Sequence, residues 1–365
     1  MAKLIRKRLR NSEILTIFAK IMKQHRTSLK DLADQLSVSI ATVSRALRGS
    51  HEVSEEMREK VKKLAKKLNY RPNPFAQSLR KEAPRNIGVV VPNLVTHYYA
   101  SVLDGIEEYA RENGYSVFSC NSHEDYNLEE QAIDNFISMH VEGIIACLSQ
   151  DTVDYSHFKE IHDMGIPLVF FARTCLPELF SHVVANGAEA AQQATQHLID
   201  NGCRRIAFVG GPNHLDMVKR RKHGYLEALR ENRIAIEREL VACGKIDFDV
   251  ARKATLKLLE SPNPPDAILA FNDIITYAAF DAIKSKEMDI PGDVAIMGFT
   301  DGDSAAFVTP KLSAIMDQAH VQGMKACELL LRNIGGDNKI YHEVVPMILK
   351  IRDSSVRKKL PEKQS

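Results

Sequence analysis

The sequence predicts an all-α helix-turn-helix module at its amino-terminal end, followed by an α/β body of parallel sheets arranged in two lobes. Three observations predict this. Short apolar stripes at helical spacing, each behind a capping residue, crowd residues 27–70. From residue 86 onward apolar runs alternate with amphipathic stretches, the pattern of strands joined by crossover helices. Charge divides between the two regions: residues 1–86 hold 21 Lys+Arg against 8 Asp+Glu, or +13, and the remaining 279 hold 28 against 39, or −11, which together give the overall +2. A basic head on an acidic body is the asymmetry expected of a nucleic-acid binder.

The elements follow in order. Ser28-Leu29-Lys30-Asp31 has capping-box form, and Leu29, Leu32, Ala33 and Leu36 give the first helix its apolar stripe. Ser37-Val38-Ser39 breaks it, with Ser39 placed to cap a second helix over 40–47. Ser54 caps a third, with Val61, Leu64, Ala65 and Leu68 on one face; Lys62, Lys63, Lys66 and Lys67 form a solvated face. In such a trihelical unit the second helix enters the major groove with its first turns against base edges. Pro72 and Pro74 end the third helix. The body then predicts strands near 86–92, 115–120, 142–148, 167–172, 182–185, 205–210, 267–271 and 294–299. Helices are expected near 97–112, 127–139, 187–201, 216–231, 272–286 and 319–333. Asn113-Gly114 and Asn201-Gly202 mark helix ends.

Several function classes are excluded. No apolar run is long enough to span a bilayer, and the apolar stretch between Glu13 and Lys20 is too short and lacks the cleavage site of an export signal. Six cysteines, scattered without paired spacing, read as reduced thiols of a cytoplasmic protein. His157 and His162 do not share a helical face as a zinc pair requires, so no metal, cofactor or catalytic residue is assigned. No nucleophile elbow or phosphate-cradling glycine loop occurs, and His123-Glu124-Asp125 reads as a surface loop.

The run Val38-Ser39-Ile40-Ala41-Thr42-Val43-Ser44-Arg45-Ala46-Leu47, then Val53-Ser54 and Leu68-Asn69-Tyr70-Arg71-Pro72-Asn73, closely resembles the lactose/galactose-repressor (LacI/GalR) family. The resemblance continues through Ile87-Gly88-Val89-Val90-Val91-Pro92 and covers roughly residues 27–356. It implies a sequence-specific transcriptional regulator, a repressor in the first instance, that binds a pseudo-palindromic double-stranded operator as a homodimer. Its body would be periplasmic-binding-protein-like, with a sugar or sugar-derived effector between the lobes setting DNA affinity. The implied boundaries are an amino-terminal extension (1–26), the head (27–72), a hinge helix and linker (73–85), the effector and dimerisation body (86–356) and a tail (357–365). Met22 sits where family members commonly begin, so residues 1–21 read as an extended start. No leucine heptad follows Ile351, which points to a dimer.

By the resemblance, Ile40 and Ala41 occupy the base-reading positions, and Arg45 clamps a guanine or holds a phosphate. Ser39 is a further DNA-binding position, Thr42 and Ser44 suit phosphate contacts, and Val43 and Leu47 pack inward. Asn73, Gln77 and Leu79 belong to the hinge, whose six-residue helix (75–80) is too short to stand alone and would order in the minor groove. There Leu79 either wedges a base step or packs on its dimer mate. Effector contacts fall on Tyr98, Tyr99, Arg173, Asn186, Arg221, Asn272, Asp273, Thr300, Asp301 and Gln318, with core packing open for one of the two tyrosines.

Family members commonly carry Asp where this chain has Ala172, Ala185 and Thr300. Losing acids while keeping Arg173 and Arg221 predicts a more positive cleft suited to an anionic sugar, unless Asp273 or Asp301 compensates. Ile40 and Ala41 lack hydrogen-bonding side chains, which leaves open a non-specific DNA-coating protein with a degenerate effector domain.

Overall fold

The structure is a computed structural model that describes residues 27–70, 85–300 and 302–357. It divides into two units with the break at residues 83 and 84.

In the first unit, Ser28 caps helix α1 (Leu29–Leu36) in a complete capping box with Asp31. Ser37 leaves that helix in the left-handed conformation at φ 54°, which turns the chain into α2 (Ile40–Leu47). Helix α3 (Glu55–Lys67) closes the module. Leu32, Val43, Ala46 and Val61 are fully buried together, flanked by Leu29, Leu36, Leu47 and Leu64. Thr27 Oγ1 donates to the Leu68 carbonyl at 2.9 Å and ties the two ends of the module together.

The second unit carries two six-stranded sheets of matching order. Lobe 1 runs β11-β5-β4-β3-β1-β2, all parallel; lobe 2 runs β12-β10-β9-β8-β6-β7, parallel except where β12 meets β10. The strands of lobe 1 are β1 (Asn86–Val91), β2 (Ser116–Asn121), β3 (Gly143–Ala146), β4 (Leu168–Phe171), β5 (Ser181–Ala185) and β11 (His342–Val345). Lobe 2 has β6 (Ile206–Gly210), β7 (Val241–Cys243), β8 (Ala267–Ala270), β9 (Ala295–Phe299), β10 (Ser313–Met316) and β12 (Ile348–Lys350). The central strands are buried along their length, as strands covered by helices on both faces must be.

Helices α4 (His97–Glu112), α5 (Tyr126–Ser138), α6 (Ser156–Asp163) and α12 (Ala319–Ile334) serve lobe 1. Helices α7 (Gly187–Asp200), α8 (Asp216–Glu231), α9 (Phe248–Leu259), α10 (Asp273–Ser285) and the short α11 (Ser304–Phe307) serve lobe 2. Glycine sets the closest helix contacts. A Cβ on Gly224 of α8 would lie 1.8 Å from the Ala188 carbonyl oxygen of α7, and one on Gly323 of α12 would lie 2.0 Å from that of Val102 in α4.

The chain crosses between lobes at Asn186, at Asp317-Gln318 and at Pro346-Met347. Asn186 Oδ1 accepts from the Met347 amide at 2.7 Å, and Gln318 Nε2 donates to the Pro346 carbonyl at 2.5 Å. The crossings are therefore laced to one another by side chains.

Candidate functional site

Two surfaces carry the chemistry, one in each unit. In the head, Ser39 caps α2: its hydroxyl accepts from the Thr42 amide at 3.0 Å and lies 2.9 Å from the Thr42 hydroxyl. The cap sets the first turn outward, with Ile40 44% exposed, Ala41 exposed and Arg45 one turn further on the same face. Arg45 rests 3.2 Å from Glu52, an exposed pair that costs little to break. Ser44 and Thr42 are half-buried beside them, and Val43 lies in the core. Asn73, Gln77 and Leu79 lie outside the described residues, as does Asp301.

In the body, a cavity of about 580 Å³, its open mouth included, lies between the lobes. Apart from Arg221 on α8 and the two tyrosines on α4, the polar walls come from the carboxyl ends of strands, the position at which open α/β sheets bind ligands. Asn93 and Thr96 follow β1, Glu124 follows β2, Arg173 follows β4, Asn272 and Asp273 follow β8, Thr300 follows β9 and Asp317 follows β10. Tyr98 and Tyr99 stand on α4 with rings 5.1 Å apart at 78°.

Two ion pairs dominate the walls. Arg173 holds Glu124 through its two terminal guanidinium nitrogens, at 2.6 and 3.0 Å, and donates to the Leu148 carbonyl at 3.0 Å. Arg221, 2% exposed, reaches the Asp317 carboxylate at 2.9 and 3.1 Å and the Phe271 carbonyl at 2.5 Å. Its guanidinium lies 3.9 Å from the Phe299 ring centre and 4.9 Å from that of Phe271, so aromatic faces fix its plane. Among the described residues its Nε–H and the Thr96 hydroxyl make no hydrogen bond. Asn272 spends its Oδ1 on capping α10, accepting from the Ile275 amide at 3.0 Å. Burial pushes the Cys147 thiol behind this wall up to about 11 and holds the Tyr99 phenol well above its ordinary value, so both stay neutral.

The structure thus brings together Tyr98, Tyr99, Arg173, Arg221, Asn272, Asp273 and Thr300. It does not bring Asn186 or Gln318 to the cavity wall: both are taken up in lacing the crossings. The positive cleft expected from the sequence is also corrected. Both guanidiniums are matched by carboxylates, and the described lining holds three acids (Glu124, Asp273, Asp317) against two arginines, a formal −1.

Glu124 corrects the reading of 123–125 as a surface loop. His123 and Glu124 both take positive φ, 52° and 61°, which turns the Glu124 side chain inward. No sequence signal marks two consecutive left-handed residues without glycine or asparagine. Asp317 follows β10, a strand absent from the sequence prediction. His157 packs instead on buried Glu129 at 3.1 Å, and among the described residues no group of three or more His, Cys, Asp or Glu could hold a metal. Among those residues, too, no helix is long and apolar enough to cross a membrane, and all six cysteines are free.

Comparison with known proteins adds a second line of observation. The family model described as "Bacterial regulatory proteins, lacI family" matches residues 28–73, and that described as "Periplasmic binding protein-like domain" matches residues 195–355. The chain is 33% identical over 298 residues to the probable HTH-type transcriptional repressor ExuR of Bacillus subtilis (strain 168), covering 79% of this chain and 86% of that protein. The transcriptional regulator CelR solved with cellobiose is 28% identical, with TM-score 0.69, covering 90% of this chain and all of that one. The lac repressor dimer solved on its operator with the anti-inducer ONPF shares the fold at TM-score 0.79 and 23% identity, over 91% of this chain and 99% of that one.

Proposed function

Because this chain belongs to the lacI family of bacterial regulatory proteins, we propose that it is a repressor that binds operator DNA as a homodimer and changes its hold when a sugar-class molecule occupies the cavity between its lobes. It is a DNA-binding regulator of transcription and not an enzyme, and the relatives give a non-specific coating role no support. It works in the cytoplasm, where operators are.

One observation carries the effector reading: two buried arginine–carboxylate pairs face a single cavity at strand carboxyl ends, beside two tyrosines and the Asn272 amide. A carboxylate accepts from a hydroxyl and a guanidinium donates to one, so each pair suits adjacent hydroxyls of a polyol. Tyr98 offers a ring face to the sugar. With formal charge −1 among the described walls, a neutral polyol meets less repulsion than an anion. Calorimetry against ribose, galactose, cellobiose, galacturonate and galactose 6-phosphate tests this. A neutral sugar is expected to bind at least tenfold more tightly than its acidic or phosphorylated counterpart; the reverse order contradicts the reading.

In the head, we assign base contacts to Ile40, Ala41 and Arg45, with Ser39, Thr42 and Ser44 on phosphates. Asn73, Gln77 and Leu79 are assigned to the minor groove through the hinge. Arg45→Ala is expected to cost about 1–3 kcal/mol on the preferred site and little on other DNA, read by binding titration. An equal loss on all DNA would make Arg45 a phosphate contact.

A further inference from the structure

The loop after β3 reaches across the cleft at Gln150, which is 1% exposed. Three of its polar groups are engaged. Its amide donates to Glu124 Oε2 at 2.6 Å, its carbonyl accepts from His214 Nε2 at 2.6 Å, and its side-chain Oε1 accepts from the Ile246 amide at 2.9 Å. His214 and Ile246 belong to lobe 2, in the loops after β6 and β7; Glu124 belongs to lobe 1. A single buried residue therefore bonds twice across the cleft and once to a wall of the cavity. Because a carbonyl can only accept, His214 carries its hydrogen on Nε2 here.

The loop has little slack. Glu129, fully buried, accepts from the Ser149 amide at 2.5 Å and from the Thr152 hydroxyl at 2.8 Å, and so anchors both sides of Gln150. The Ser149 hydroxyl lies 2.8 Å from that of Ser122, at the end of β2. A shift of Glu124 or Arg173 thus passes to Gln150 and not into loop motion. Ile246 lines the same cavity, so the clasp is touched from both lobes by residues that meet whatever the cavity holds.

We propose that Gln150 is the positioning residue that couples a molecule held in the cavity to closure of the two lobes. A ligand shifts a two-state arrangement only by the difference in its contacts with the two states, and here those contacts include direct neighbours of the clasp. Opening the lobes gives up two hydrogen bonds, one buried and one partly buried, which must be remade with water. The proposal rests on the reading of the cavity as the effector site.

The test uses the full chain with Gln150→Leu, His214→Leu and His214→Gln. Hydrogen exchange reads closure without any sugar. The Ile246 amide is expected to exchange at least tenfold faster in Gln150→Leu, and its segment faster in His214→Leu. His214→Gln, which keeps a donor, is expected to return exchange toward the wild-type rate. Binding titrations with ribose or cellobiose, whichever calorimetry finds bound, read the coupling. The ratio of DNA affinities with and without that sugar is expected to fall at least fivefold in both leucine variants. Wild-type exchange at Ile246 in Gln150→Leu overturns the proposal. So does a wild-type sugar response in a variant whose Ile246 exchange has risen. Should Gln150→Leu not fold, the His214 pair carries the same test. Arg221→Met separates the two ideas: a full sugar response there removes the cavity reading itself, whereas a lost response there with a full one in Gln150→Leu removes only the coupling.

Discussion

Gly224→Val is expected to lower the stability of the body by about 3 kcal/mol or more, because overpacking between two backbones has no cheap relaxation. The first side-chain carbon would fall 1.8 Å from the Ala188 carbonyl oxygen and 3.0 Å from the Gln192 amide nitrogen, both on α7. Helices α7 and α8 must then separate, and α8 carries Arg221 one turn before the substitution. Thermal unfolding of the full chain reads the loss, and the response to sugar should disappear with it. A variant melting at the wild-type temperature would mean that α7 and α8 do not pack as closely as described.

Arg221→Met is expected to cost about 3–5 kcal/mol, since it takes the guanidinium from a carboxylate that stays buried in the crossing strand. Asp317 is 7% exposed, so water cannot replace the lost partner cheaply. The methionine keeps apolar contact with Phe271 and Phe299 but supplies no donor. Loss of sugar binding by calorimetry should accompany the fall in melting temperature. Arg221→Met/Asp317→Leu separates the two roles: it should regain much of the stability, because an apolar pair replaces a buried ionic one, without regaining sugar binding. Recovery of binding in the double variant would show that the ion pair only supports the fold.

Much of this architecture was legible in the residues. The head was written in its caps and stripes: Ser28, Ser39 and Ser54 all start helices where expected, and Leu32, Val43 and Val61 form the core. The eight apolar runs became strands, and those at the sheet centres are unbroken because both their faces are covered. What was not legible were the short elements. Strands β7, β11 and β12 are short and only partly buried, so they lack the unbroken apolar run that announced the equally short β3, β4 and β8. Helix α9 was missed although Asp247 caps it and Ala251, Thr255, Leu258 and Leu259 line its buried face, so that signal was present.

The site divides the same way. Arg173 follows a predicted strand, Arg221 lies within a predicted helix and Asn272 opens another, so all three could be placed. Their acidic partners could not. Glu124 depends on a backbone conformation that its residue type does not announce, and Asp317 on a crossing between lobes that only the tertiary fold reveals. The positive cleft expected from the loss of acids at Ala172, Ala185 and Thr300 therefore left these two carboxylates, and the compensating Asp273, out of the balance. Asn186 and Gln318 sit at the crossings, where Asn186 Oδ1 and Gln318 Nε2 bond to the backbone of the neighbouring crossing.

The most direct measurement is the affinity of the full chain for a DNA site selected from a random pool, titrated with and without a saturating sugar chosen by calorimetry. Enrichment of a pseudo-palindromic site is expected, with affinity that changes at least tenfold on adding sugar in the wild type and stays constant in Arg221→Met. Equal affinity for that site at zero and saturating sugar, in protein that demonstrably binds the sugar, would contradict the account.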